Sequence, residues 1–327
     1  MWKIGSVKID NPIVIAPMAG ISNPVFREVC KEAGAGLCVS EMISDKALHY
    51  QNQKTFDMCR TSKKEHPVSL QLFSGDPETM AEATGYLCTH TDCDIIDINM
   101  GCPVTKVLKA HSGSYLLDYP DLAVQIAEAA VKNADRPVTV KMRAGRDSTH
   151  IIAADLARRL EEVGISAIAI HGRTRSQMYE GHVNLDYIKM VKEAVSIPVI
   201  GNGDILTVQD AIQMQKYTGC DAVMIGRGVL GRPFFISEVN AALQNAEYQE
   251  PSYLERIDMS LDYARRLCED ESERIAMRKM RGMAAWYVSG MPQSKSIKNK
   301  LALMDTYAQM EEIMVSYKAA LKELVGR

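Results

Sequence analysis

The chain has 327 residues, 46% of them apolar and 24% charged, with 38 Lys and Arg against 41 Asp and Glu. These proportions exclude disordered, collagen-like and low-complexity classes and leave room for one large domain and a small one. A net charge of -3 excludes a uniformly basic coat for nucleic acid, but not a local basic patch.

The N-terminus, Met1-Trp2-Lys3-Ile4-Gly5, has no charged segment followed by an apolar one. No apolar run approaches the roughly 18 residues of a membrane span, so a cytoplasmic protein without a membrane partner is expected. Eight cysteines lie scattered with no C-x-x-C pair, which predicts free thiols rather than a disulfide framework or a metal site. Short Val- and Ile-rich runs then recur along the chain. They are 13–16, 37–40, 68–72, 95–98, 138–141, 167–170, 198–200 and 222–225. Continuous apolar runs of this length predict strands buried on both faces. Helix-period segments separate them. Asp76-Pro77-Glu78 opens one with an N-cap and a proline at the first position. Residues 151–163 carry apolar positions at 152, 156, 160 and 163 and stop at Gly164, and 207–217 stop at Gly219.

Eight strand–helix units predict an α/β fold, a (β/α)8 TIM barrel, with an open doubly wound sheet as the weaker alternative. After Phe235 no strand-like run remains, and 245–253 is polar with Pro251. The expected division is therefore a barrel over 1–244 and a helical domain of three or four helices over 245–327. Residues 274–300 hold seven basic side chains and no acidic one: Arg274, Arg278, Lys279, Arg281, Lys295, Lys298 and Lys300. Charge alone fits either a solvated helix face or a phosphate-contacting face assisted by Trp286 and Tyr287.

Barrels of this kind carry their chemistry at the C-terminal strand ends. Here those ends are polar on nearly every strand: Pro17-Met18-Ala19-Gly20, Glu41, Gln71, Asn99-Met100-Gly101-Cys102-Pro103, Lys141-Met142-Arg143, His171-Gly172-Arg173, Gly201-Asn202-Gly203-Asp204 and Gly226-Arg227-Gly228. A shared pocket explains all of them together. The glycines after the last two strands let backbone N–H groups approach an anion, which suits a phosphate. Lys141 at a strand end needs something anionic opposite it, such as a reduced flavin ring. His171, between the two, suits a ligand contact. Cys102, held between Gly101 and Pro103, is placed as a protonated general acid; as a nucleophile it would need a base beside it, and nothing fixes His111 there.

These residues resemble a known family. Ala16-Pro17-Met18-Ala19-Gly20, Asp97-Ile98-Asn99-Met100-Gly101-Cys102-Pro103, Val140-Lys141-Met142-Arg143, His171-Gly172-Arg173-Thr174-Arg175, Gly201-Asn202-Gly203-Asp204 and Met224-Ile225-Gly226-Arg227 are similar to the flavin-dependent tRNA-dihydrouridine synthases, the bacterial B-type branch above all. The resemblance implies an FMN-containing barrel that reduces the C5–C6 bond of uridine in tRNA with NADPH. It places Pro17, Met18, Ala19, Gln71, Lys141, His171, Asn202, Gly203, Asp204, Gly226 and Arg227 on FMN. It makes Cys102 the proton donor to C5, with hydride passing to C6. Asn99 and Arg143 would face the uracil, and Arg173, Arg278 and Lys279 the RNA. Reaching a stacked uridine requires extruding it, and the basic helical tail would grip the backbone.

The stretch Lys109-Ala110-His111-Ser112-Gly113-Ser114-Tyr115 departs from the family pattern, His111 and Tyr115 being bulkier or more polar than usual, and Ser74-Gly75 is reversed. Two alternatives stand beside the tRNA reading: the same chemistry on ribosomal RNA, and oxidoreduction of a free pyrimidine in the manner of dihydroorotate dehydrogenases. A non-enzymatic RNA-binding role with a vestigial pocket is weakened by the presence of Cys102, Lys141 and Arg227.

Overall fold

The computed structural model describes residues 2–325. The chain divides into two compact units, Met1–Gly226 and Arg227–Arg327.

The first unit opens with a hairpin, β1 (Trp2–Ile4) and β2 (Val7–Ile9), paired antiparallel. Eight parallel strands follow and close into a barrel: β3 (Ile13–Ile15), β4 (Leu37–Ser44), β5 (Val68–Phe73), β6 (Ile95–Met100), β7 (Val138–Arg143), β8 (Ala167–His171), β9 (Val199–Asn202) and β10 (Ala222–Ile225). Each corresponds to one of the eight apolar runs. The fold is the expected (β/α)8 barrel. β4 runs past the expected end at Glu41 because its register with β5 shifts between Val39 and Met42, as an inserted residue does.

The intervening helices begin and end on local signals. Asp76 caps the helix Pro77–His90 by accepting from the Glu78 amide at 2.8 Å. Thr207 and Asp210 form a reciprocal capping box on Val208–Thr218, and Gly219 ends that helix in the left-handed conformation. Residues expected as a helix over 151–163 form one over Ala153–Glu162.

The hairpin was not anticipated. It seals the N-terminal end of the barrel. Ile4 and Ile9 are fully buried in one cluster with Leu37, Ile95, Ala167 and Ala222, each the first residue of its strand. Gly5, in the tight turn at φ +55°, lies so close to Pro137 that a Cβ would sit 2.8 Å from its ring. Only glycine suits both constraints.

The second unit is helical: Phe234–Leu243, then Tyr253–Asp270, Glu273–Tyr287, Ser294–Leu301 and Tyr307–Val325. Its core includes Ile257, Leu267, Met277, Met280, Ala284 and Tyr287. Tyr287 therefore does not assist an RNA-facing surface. It occupies the inward stripe of its helix, beside Tyr263, whereas Trp286, one residue earlier and about 100° around the helix, is half exposed. No helix among the described residues is long and apolar enough to cross a membrane.

Candidate active site

Alternation along the strands brings the site together. Side chains on one strand face inward every second residue. Because Ile95, Ala167, Ala169 and Ile200 belong to the interior cluster, Asp97, Asn99, His171 and Asn202 share the inner face further along. Register completes the ring: Gln71 pairs with Asp97, Asn99 with Lys141, Arg143 with His171, and His171 with Asn202.

A chain of buried hydrogen bonds leads to Cys102. Asp97 accepts from Thr139 Oγ1 and from Gln71 Nε2, both at 2.6 Å. Gln71 Oε1 accepts from Asn99 Nδ2 at 2.8 Å. Asn99 Oδ1 then accepts the backbone amides of Gly101 (3.1 Å) and Cys102 (2.9 Å). Burial pushes the Asp97 carboxyl up, and its bonds to Gln71 and Thr139 and the charge of Lys141 pull it back. The Cys102 carbonyl accepts from both the amide and the hydroxyl of Ser114, each at 3.0 Å. The loop is thus pinned on both sides. The Cys102 side chain is half-buried, and burial raises its thiol above the usual value against the opposing pull of the Val104 amide, Arg143 and Lys141. A thiol raised in this way stays protonated at neutral pH.

Lys141 and Arg143 share one strand but differ sharply. Arg143 is 2% exposed and donates to the carbonyls of Gly101 (3.0 Å), Thr174 (2.8 Å) and Met178 (2.8 Å), with its guanidinium 5.5 Å from the Tyr179 ring centre. Among the described residues, the half-buried Lys141 ammonium makes no hydrogen bond or salt bridge. Burial first, and the Arg143 charge second, lower it to about 8. Holding a lysine this way costs free energy, which the attraction of Asp97 only partly offsets.

His171, Arg173, Asn202, Gly203 and Asp204 form a second knot. Arg173, also 2% exposed, binds Asp204 through two parallel bonds of 2.7 and 2.6 Å and donates to the carbonyls of Glu180 and Gly181. The Val183 amide donates to Asp204 as well, at 2.9 Å. Asn202 Nδ2 donates to the Met224 carbonyl at 2.8 Å. Gly203 has φ +126°, and a Cβ there would lie 2.8 Å from both His171 Cδ2 and Val183 Cγ2. This is a cradle that no other residue leaves open.

Pro17 and Met18 are half-buried and Ala19 exposed in the loop after β3, where Glu41 accepts the Gly20 amide at 2.5 Å. Gly226 follows β10. Arg227 begins the second unit in a short 3-10 turn and is exposed. In the tail, Arg278 is exposed on the same helix stripe as Arg274, Gly282 and Trp286, whereas Lys279 is paired with Glu271 at 2.9 Å. Arg281 is likewise held by Asp305 and the Met304 carbonyl.

The family model for dihydrouridine synthases matches residues 14–324, across both units. The chain belongs to the dihydrouridine synthase family. It is 37% identical to the tRNA-dihydrouridine synthase B of Vibrio vulnificus, over 96% of this chain and 98% of that one. It is 37% identical to a probable tRNA-dihydrouridine synthase of Rickettsia bellii, over 98% and 99%. A probable tRNA-dihydrouridine synthase of Mycobacterium tuberculosis is also 37% identical, over 94% of this chain and 82% of its own length. As a dihydrouridine synthase, the chain is a flavin-dependent oxidoreductase.

Within this synthase, sequence reasoning missed Asp97 and Thr139, the buried base of the bond chain to Cys102. Asp97 sits two residues before Asn99 on the same face, and that spacing was the available signal. Arg143 and Arg173 were expected on the substrate; in the structure their donors are largely engaged by loop carbonyls and Asp204.

Proposed function

We propose that this synthase reduces the C5–C6 double bond of uridine in tRNA to 5,6-dihydrouridine, with FMN bound in the barrel and NADPH as reductant. The observation that carries the reading is Cys102, pinned by Asn99 and Ser114 at the same strand ends as Lys141, whose ammonium makes no hydrogen bond or salt bridge among the described residues. The residues present fit a flavin. Lys141 offers a cation for a ring that becomes anionic on reduction, and the Gly203 cradle with Gly226 offers backbone amides for a phosphate. Pro17, Met18, Ala19, Gln71, His171, Asn202, Asp204 and Arg227 complete the proposed set. When bound, FMN supplies hydride, drawn from NADPH, for uracil C6.

The chain supplies the proton and the alignment. The Cys102 thiol gives its proton to C5 and is reprotonated from solvent. Asn99 holds the cysteine loop by two amides. Arg143 ties that loop to the one after β8, and Arg173 ties the β8 and β9 loops together through Asp204. The two arginines thus shape the substrate pocket by holding its walls. The uridine must leave the RNA stack to reach the strand ends, and Arg274, Arg278 and Trp286 offer a half-exposed face for the RNA backbone.

The test is to record the visible spectrum of the purified protein and incubate it with NADPH and unmodified tRNA, assaying dihydrouridine by mass spectrometry. A flavin spectrum with product that vanishes in Cys102→Ala is expected. A flavin spectrum without product points to ribosomal RNA or a free pyrimidine. Absence of flavin from protein refolded with FMN overturns the proposal.

A further inference from the structure

The residues that depart from the family pattern beside Cys102 form an ordered surface feature. The rings of His111 and Tyr115 stack with centres 4.8 Å apart and planes at 27°, and Tyr115 stacks on Tyr119 at 4.6 Å and 21°. Three rings at positions i, i+4 and i+8 make one continuous ladder. Both end residues reach the surface: His111 is exposed and Tyr119 is 49% exposed.

The ladder is fastened to the catalytic loop. Ser114, next to Tyr115, makes both hydrogen bonds to the Cys102 carbonyl. Gly113 packs so closely that a Cβ would lie 2.8 Å from that carbonyl oxygen. On the other side, the His111 carbonyl lies 2.8 Å from where a Cβ on Gly75 would be, at the end of β5. The His111 backbone itself holds φ +57°, in the left-handed region.

Asp118 is paired with Arg175 at 2.5 Å and Asp121 with Arg159 at 2.6 Å. Lys106 and Lys109, on the exposed side of the short helix Thr105–Lys109, form no salt bridge among the described residues. Exposed aromatic rings preceded by lysines without salt bridges are what a single-stranded nucleic acid recognises, bases on the rings and phosphates on the lysines.

We infer that the His111–Tyr115–Tyr119 ladder is a stacking platform for an unpaired base of the RNA strand, flanking the uridine presented to Cys102, with Lys106 and Lys109 on the adjoining phosphates. The inference rests on the reading that the substrate is RNA. The molecule carries its own control. A second ladder, Phe56–Tyr86–His90, has similar spacing (5.1 and 4.4 Å). It ends at the C-terminus of the helix Pro77–His90, which, antiparallel to the strands, points to the barrel face opposite the catalytic one.

The experiment measures the affinity of the FMN-loaded protein for an unmodified tRNA transcript by fluorescence anisotropy at several salt concentrations. His111→Ala and Tyr119→Leu should each weaken binding about tenfold, with an unchanged salt slope. Tyr119→Phe, which keeps the ring, should bind like the parent, and so should His90→Ala. Lys106→Gln with Lys109→Gln should flatten the salt slope by about 1.4 units. Equal melting temperatures and flavin content across the set exclude a folding defect. Affinity within twofold of the parent in both ring-removing variants overturns the platform, as does an equal loss in His90→Ala. Dihydrouridine formation by the parent protein is scored separately. If the parent makes product while the ring variants bind normally, the platform falls and the proposed function stands. If it makes none while the ring variants lose RNA, the reverse holds.

Discussion

The two ends of the barrel use the same strands for opposite purposes. At the N-terminal end, Leu37, Ile95, Ala167 and Ala222 meet Ile4 and Ile9 of the hairpin, and every one is apolar and almost completely buried. A few residues further along the same inner faces stand Asp97, Asn99, Lys141, His171 and Asn202. Burial hardly distinguishes the ends, since Gln71 is as buried as Ile95. What differs is how the burial is compensated: packing at one end, and a closed set of hydrogen bonds with one cation left over at the other. The first end should therefore set stability and the second activity, and each of the following changes tests that division.

The largest effect belongs to Cys102→Ala. Removing the proposed proton donor should lower the rate of dihydrouridine formation about a thousandfold, roughly 4 kcal/mol in the barrier. The urea midpoint should stay put, because the loop is held by its backbone rather than by the thiol. Loss of stability matching the loss of activity would erase the contrast between the ends. The converse change is Ile9→Ala, which opens a cavity under the hairpin. It should cost about 3 kcal/mol of unfolding free energy and leave kcat unaltered at temperatures where the protein is folded. Gly203→Ala is intermediate, because it acts at the catalytic end through the backbone. A side chain at φ +126° against His171 should cost about 2 kcal/mol and weaken flavin retention, read by the absorbance that survives gel filtration.

The contrast between the ends also explains what the sequence revealed. The eight barrel strands were legible because strands buried on both faces read as unbroken Val and Ile runs. The hairpin was not, although Trp2-Lys3-Ile4 and Val7-Lys8-Ile9 alternate as a strand pair should. Three-residue strands are too short for periodicity to stand out, and the Gly5-Ser6 turn is a modest signal. At the catalytic end, residue type and position sufficed for Cys102, Lys141 and Asn99. The engagement of Arg143 and Arg173 was invisible because their partners are largely carbonyls of Gly101, Thr174, Met178, Glu180 and Gly181. A backbone carbonyl carries no signature in the amino-acid code. Tyr287 was legible in principle: Ala276, Met280, Met283 and Ala284 already mark the buried stripe it extends.

The smallest effect is the most specific to the catalytic end. Lys141 is held at about 8 in the folded protein, against an ordinary value of 10.5. Below pH 8 the folded state carries this charge buried, with the attraction of Asp97 only partly offsetting burial and the Arg143 charge, and the unfolded state carries it in water, so its net destabilising effect is fully present. Between pH 8 and 10.5 the folded protein has released the proton while the unfolded chain still binds it, and stability rises with pH across that window. In flavin-free protein, Lys141→Met should therefore melt higher than the parent at pH 7, with the gap shrinking as pH rises from 8 towards 10.5. Loading with FMN should reverse the order at pH 7, because a bound anion converts the same charge from a cost into a contact and raises its pKa. A gap that ignores pH in the flavin-free protein would mean that the ammonium is already compensated and that the cation left over at the catalytic end does not exist.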